Sequence, residues 1–373
     1  MTDPLNLDPH WCRQRQKRIC DVLSRRGLDR LILTSHENIQ YVTGFRPHRL
    51  MQAAVCLEAD GTCVLVAPNV EPADVAVDRT LTFEAQWHCT LRQDQSQAAL
   101  QTLAGAVSKS AASRTGVEFS QSSQHVGGLL NNTCGDLVDL DADLWLLRRH
   151  KDPDELAMIR RSIDCTAAMY ERARQIIEPG ITELLVFNEL QAAAVKVAGE
   201  PLTALGNDFQ CNSAGGPPRN RAAQAGELFI LDLGPSYRGY YADNCRTIAV
   251  DGQPTEQQLA AWQAIVEVLE MVEASVRPGV SCRELFAETQ RMLDDFAPGA
   301  FFHHLGHGFG LFPHEAPHLN PNTGWDDVFE VGDTFTAEPG LYTEELKAGI
   351  RLEQNYLVTE DGVDRLTDST LEL

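Results

Sequence analysis

The chain has 373 residues, beyond one ordinary domain and enough for two, each able to bury its own core. With 43% hydrophobic and 23% charged residues it reads as soluble and globular, not disordered or fibrous. A net charge of −22 repels nucleic acid and anionic lipid, so neither is expected as a partner; carboxylates gathered around metal would account for part of that excess.

Residues 1–10 lack the basic and apolar segments of a signal peptide, and no run of 18 apolar residues occurs anywhere. The expectation is a cytoplasmic protein without a membrane span. An amphipathic helix is predicted over 11–27, with Ile19, Val22 and Leu23 on its apolar side and Gly27 as its stop. A strand follows over 29–34, then a turn into a short helix or loop over 38–45 that ends at Gly44-Phe45. Residues 52–58 and 61–67 read as a hairpin, 95–108 as helix and 115–119 as strand. Alternating strands and helices make this part an α/β domain, assigned to 1–147.

The polar run Arg148-Arg149-His150-Lys151-Asp152-Pro153 marks the boundary, and a second domain is assigned to 148–373. Asp154 opens a long helix to about Ile177, and another starts at Thr182. From 227 the pattern turns to strands, with helices returning at 255–276 and 281–296 and strands at 301–311 and 333–358. Blocks of helix and strand indicate an α+β fold. The ten cysteines (12, 20, 56, 63, 89, 134, 165, 211, 245 and 282) form no C-x-x-C pair. They read as buried thiols of a reducing compartment, not as a disulfide frame.

The chemistry concentrates in four segments. In the first, 227–233 is an apolar strand, Gly234-Pro235-Ser236-Tyr237-Arg238-Gly239 a turn, and 240–250 the returning strand. Asp232 thus lies in a run that should be buried, and a buried carboxylate is costly unless a cation or hydrogen bonds compensate it. The hairpin lays Asp243 beside Asp232, and two facing carboxylates repel unless they share a proton or a metal. A turn or capping role is about as common for an aspartate taken alone. The second segment, His303-His304-Leu305-Gly306-His307-Gly308-Phe309-Gly310, ends at His314-Glu315. Its glycines exclude a helical zinc motif and predict an extended stretch with backbone held close to something. A single histidine is usually a core or surface residue, but four of the chain's eleven fall within these twelve positions. In the third, Glu338 interrupts an apolar strand before Pro339-Gly340. In the fourth, Arg351 and Glu353 are two apart on a strand and share a face. Two Asp, one His and two Glu, all read as strand residues, suit two divalent ions such as Mn, Co, Zn or Fe. Such a pair ionises a bridging water and polarises a carbonyl.

The order Asp232, Asp243, Gly-His307-Gly, Glu338-Pro-Gly, Arg351-x-Glu353 resembles the ligand set of the pita-bread metallopeptidases: prolidase, aminopeptidase P, methionine aminopeptidase and metal-free creatinase. Residues 38–45 also resemble the N-terminal domain of the prolidase and aminopeptidase P branch. The resemblance implies a pita-bread catalytic domain and a hydrolase of Xaa-Pro dipeptides or of an N-terminal residue before proline. It implies that Asp243 and Glu353 bridge the metals, that Asp232 holds one, and that His307 and Glu338 hold the other. Glu338 would also be the general base. His303 and His314 would contact substrate or the tetrahedral intermediate, and Arg351 would order the site. A homodimer and a peptide or small-amide substrate follow from the same resemblance. One position departs. Where the branch carries a further histidine seventeen residues before the first Asp, this chain has Gly215. That leaves room for weak Xaa-Pro cleavage, for a different amide-like or other small-metabolite substrate of a hydrolase or lyase, or for another group, such as Arg219, in the space. A non-catalytic binding module is the remaining reading, and the intact ligand set disfavours it.

Overall fold

The computed structural model describes residues 5–107, 114–130, 136–322, 324 and 326–373. Two compact units divide the chain, one comprising Asn6–Arg148 and the other Leu5 and Arg149–Leu373.

The first unit runs α1 (Pro9–Arg26), β1 (Arg30–Leu33), α2 (His36–Thr43), β2 (Ala54–Glu58), β3 (Cys63–Pro68), β4 (Arg79–Phe83), β5 (Gln86–Trp87), β6 (Thr90–Leu91), α3 (Gln95–Ala104), β7 (Thr115–Val117), α4 (Gln124–Leu130), β8 (Leu137–Asp139) and α5 (Asp141–Arg149). The local reasons are visible at the helix ends. Asp8 caps α1, with Pro9 at its first position, and Gly27 closes it in the left-handed conformation. Ser35 caps α2 and Gly44 ends it. Six strands form one mixed sheet in the order β4-β3-β2-β1-β7-β8, parallel at β3/β4, β1/β7 and β7/β8. The helix predicted to 108 stops at Ala104, and residues 108–113 lie outside the described ones.

The second unit runs α6 (Pro153–Ile176), α7 (Glu183–Ala198), β9 (Ala204–Cys211), β10 (Leu228–Tyr237), β11 (Tyr240–Tyr241), β12 (Asn244–Ala249), α8 (Glu256–Ser275), α9 (Cys282–Phe296), β13 (Gly306–Gly308), β14 (Glu315–Leu319), β15 (Thr334–Ala337), β16 (Gly340–Leu341), β17 (Ile350–Arg351), β18 (Gln354–Val358) and β19 (Val363–Arg365). Asp152 and Glu155 make a capping box, with Pro153 at the first helical position, that starts α6 within the polar boundary run. Helix α6 buries Met158, Ile159, Ile163, Met169 and Ala173, at helical spacing. One sheet is ordered β11-β10-β12, with β9 on the other edge of β10; the second is ordered β14-β13-β15-β18-β19. Ile265, Val268, Leu269 and Val272 of α8 and Leu285 of α9 enclose a core with Phe335 and Tyr356.

Several sequence expectations need correcting. The turn expected over 234–239 is only Arg238-Gly239. Both have positive φ, 49° and 90°, so a two-residue turn suffices and β10 continues through Tyr237. The returning strand is broken at Ala242-Asp243. The strand expected over 301–311 shrinks to three residues, and that over 333–358 to four short pieces. Strand β9 is present where none was expected. Seven cysteines are buried, but Cys89 is exposed, at φ 66° in the β5–β6 turn; Cys134 lies outside the described residues.

Candidate metal centre

Asp232 sits in the middle of β10, with Cys245 of β12 opposite it on one side and Asp208 of β9 on the other. Asp243 is two residues before Cys245, so the pleat turns its side chain to the face that Asp232 uses. The C-terminal segment is stitched to this hairpin. Glu353 N–H donates to Cys245 O at 3.0 Å, Arg351 N–H to Thr247 Oγ1 at 3.0 Å, and Asn244 Nδ2 to Glu353 O at 2.6 Å. Asn355 Nδ2 donates to Asp243 O. These bonds bring Glu353 against the two aspartates, and ligand oxygens of Asp232, Asp243 and Glu353 lie within 4.8 Å of one another.

His307 arrives on β13, where glycine on either side is a packing requirement. A Cβ at Gly306 would collide with the Thr336 carbonyl, and one at Gly308 with the Ala316 carbonyl. The close backbone approach expected from the glycines is therefore to β15 and β14. His307 Nδ1 lies 3.0 Å from Gly308 O, which makes Nδ1 the protonated nitrogen and turns the Nε2 lone pair inward. Nε2 stands 3.5 Å from Glu338 Oε1 and 3.7 Å from Asp243 Oδ2. Glu338, just past β15, is fixed by its own N–H to Leu305 O at 2.7 Å. All five expected ligands thus come together. Only Asp232 and His307 lie inside strands; Asp243, Glu338 and Glu353 stand at strand ends, where the backbone leaves the ladder and can aim a side chain inward.

The electrostatics suit a cation. Burial first, then neighbouring carboxylates, pushes Asp243, Glu338 and Glu353 well above the usual carboxylate range. Burial likewise holds His307 well below an ordinary imidazole and His303 down at about 4. Asp232 Oδ1 and both oxygens of Glu353 are buried without a hydrogen-bond partner among the described residues. An orphaned buried carboxylate is what a metal ligand looks like before its metal. The donor set, four carboxylates and one imidazole lone pair, fits a pair of divalent first-row ions.

A cavity of about 340 Å³ opens on this cluster, lined by Asp232, Asp243, His307 and Glu338 and walled by His303, His304, His314, Phe302 and Tyr342. His314 stacks on His307 with ring centroids 3.7 Å apart. His303 Nε2 lies 2.8 Å from Tyr342 Oη and its Nδ1 2.7 Å from His304 O. His304 points Nδ1 at Glu338 Oε1, 3.3 Å away. Arg351 spans the rim. Its Nη2 donates to Asp232 Oδ2 at 2.8 Å and to Asp208 Oδ2, and its Nη1 to Tyr342 Oη at 3.0 Å and Ala214 O at 3.2 Å.

Sequence reasoning missed Asp208, His304 as a member of the wall, Tyr342, Asn244 and Asn355. The four histidines within twelve positions could have flagged His304. Asp208 carries no local signal, because only the β9–β10 register sets it beside Asp232. The Gly215 space is filled differently from expected. Arg219 is committed elsewhere, with Nη2 2.6 Å from Glu183 Oε1 and 2.8 Å from Cys211 O. Gly215, at φ 152°, is instead backed by Asp208, whose carboxylate would collide with any Cβ there. Asp208 Oδ1 also accepts from Gly216 N–H at 2.7 Å.

Comparison with known proteins gives the family and the fold. The profile described as Metallopeptidase family M24 matches residues 157–360, and that of the Creatinase/Prolidase N-terminal domain matches 15–150. An uncharacterized peptidase of Bacillus subtilis, YqhT, is 26% identical over 96% of this chain and 98% of its own length. Among solved structures, the Xaa-Pro dipeptidase from Bacillus anthracis superposes with a TM-score of 0.80 at 24% identity, covering 97% of this chain and 99% of that one. The X-Pro aminopeptidase from Thermotoga maritima superposes with a TM-score of 0.78 at 21% identity, covering 96% and 98%. These likenesses give the pita-bread fold with its N-terminal α/β domain. No helix among the described residues is long and apolar enough to cross a membrane.

Proposed function

The chain belongs to metallopeptidase family M24, and on that premise we propose that it is a dinuclear Xaa-Pro peptidase, releasing the residue before a proline from a dipeptide or from the N-terminus of a longer peptide. The observation that carries this reading is the set of partnerless buried oxygens on Asp232 and Glu353 beside the inward-facing Nε2 of His307. Asp232, Asp243, His307, Glu338 and Glu353 would hold the ions. When bound, a pair of Mn, Co, Zn or Fe ions would supply a low-pKa water and polarise the scissile carbonyl.

The chain's own groups do the rest. Glu338 takes the proton of the attacking water and returns it to the leaving nitrogen. His314 faces the cavity and hydrogen-bonds the substrate carbonyl as it becomes tetrahedral, while His303, its Nδ1 on His304 O and its Nε2 on Tyr342 Oη, contacts the substrate with its ring. Arg351 holds Asp232 in place through the bond at 2.8 Å. The apolar edges of Phe302 and Tyr342 shield the reacting centre from bulk water. We further infer a cytoplasmic homodimer, with domains divided near residue 147.

The test is turnover by the chain loaded in turn with Mn, Co, Zn and Fe, on Xaa-Pro dipeptides, Xaa-Pro-Yaa peptides and small amides. Metal-dependent release at the bond before proline is expected; no turnover of any proline peptide with any of the four metals sinks the reading. Asp208 behind Gly215 is the one observation favouring a hydrolase or lyase of a small non-peptide metabolite, and turnover confined to non-peptides would favour that alternative.

A further inference from the structure

Arg351 is the only arginine or lysine among the described residues that line the cavity. Apart from the metal pair proposed above, it is the sole permanently charged side chain there that could pair with an anionic substrate group. All four of its terminal N–H bonds are already directed: two to Asp208 and Asp232, two to Ala214 O and Tyr342 Oη. Asp208 thus neutralises a guanidinium that also orders the ligand Asp232, and leaves this wall no spare positive charge. The remaining wall offers imidazoles and the rings of Phe302 and Tyr342, whose centroids are 4.9 Å apart, with Phe302 68% exposed. An aromatic pair at a cavity mouth suits an apolar ring or a continuing chain. A free carboxylate seated against this wall, away from the metal pair, would meet no unengaged cationic side chain and would lose hydration.

We propose that the cavity selects substrates whose group following the proline is uncharged, a continuing peptide bond or an amide, over those ending in a free carboxylate, and that Asp208 is the residue that sets this preference. The inference rests on the Xaa-Pro reading above. Asp208 acts through Arg351: its carboxylate, seated in the space that Gly215 leaves open and held by Gly216 N–H, takes up the charge that would otherwise receive a terminal carboxylate. Lone-pair acceptors stay at the rim, and peptide N–H groups can donate to them.

The test is steady-state kinetics of the metal-loaded full chain on Ala-Pro, Ala-Pro-amide and Ala-Pro-Ala, with calorimetric binding of proline and prolinamide to the same protein. We expect kcat/KM for the amide and the tripeptide to exceed that for the dipeptide at least tenfold, mainly through KM, and prolinamide to bind more tightly than proline. Asp208→Asn, which removes the charge and keeps the shape, should narrow that ratio about tenfold by lowering KM for Ala-Pro. Gly215→Ala, which forces the Asp208 carboxylate aside without changing charge, should narrow it in the same direction, and the binding comparison reads either variant even where turnover is lost. Equal or better cleavage of the dipeptide by the wild-type chain overturns the inference and leaves the Xaa-Pro reading standing. An unchanged ratio in both folded variants removes Asp208 from the role. No turnover of all three substrates removes the Xaa-Pro reading itself, and this inference with it.

Discussion

Glu353 shows how much one side chain carries. Both its oxygens are buried and lack a hydrogen-bond partner among the described residues, while its backbone is pinned by Cys245 O and Asn244 Nδ2. An uncompensated buried carboxylate costs several kcal/mol, so its ionised form is stable only with a cation at hand. Glu353→Gln keeps the shape and removes the charge. Atomic emission should find fewer than two ions per chain, and kcat/KM should fall by roughly 10²-fold or more. Full metal content with full activity would refute the assignment. At this scale the sequence was legible only in combination. Taken singly, Asp232, His307 and Glu338 each have an ordinary structural reading, and only their order and spacing pointed to a metal centre. Asp208 was invisible, because its neighbour Asp232 is 24 residues away and only strand register joins them.

At the scale of elements, β13 is held by absences. The glycines at 306 and 308 let β13 lie between β14 and β15. Gly308→Ala should therefore destabilise the fold by about 1–3 kcal/mol, seen as a lower denaturant midpoint of the chelated protein at unchanged m value. An unshifted midpoint would show that the backbone there can yield. The long helices were legible because caps and period agree: Asp8 and Gly27 bound α1, and Thr182 starts α7 by accepting from Leu185 N–H. The short strands were not. Strands β13, β16 and β17 are two or three residues long, too short for any alternation, and exist because neighbouring strands supply partners. The Arg238-Gly239 turn was overestimated because Gly234 and Pro235, usually turn formers, are here tolerated inside a strand.

The whole molecule couples pH to metal. Three carboxylates with raised folded pKa bind more protons folded than unfolded. Their contribution to stability is thus present at acid pH and is lost as pH rises from the ordinary carboxylate value of about 4 through the raised values. The buried histidines act oppositely. Their folded pKa is lowered, so the stability they carry is present above about 6.5 and is lost as pH falls below it. The gain in Tm on adding Mn²⁺ to the chelated chain should therefore be larger at pH 8 than at pH 6, as differential scanning calorimetry can show; an equal gain at both would break the link between the raised carboxylates and the metal. One arrangement described above also has a consequence in time. The ligands run from Asp232 to Glu353, and the last of them is aimed only when its backbone docks on Cys245 and Asn244. A ribosome must therefore extrude Glu353 before any hydrolytic centre can assemble. The proposed ligand set is thus incomplete until residue 353 has been made and its backbone has docked.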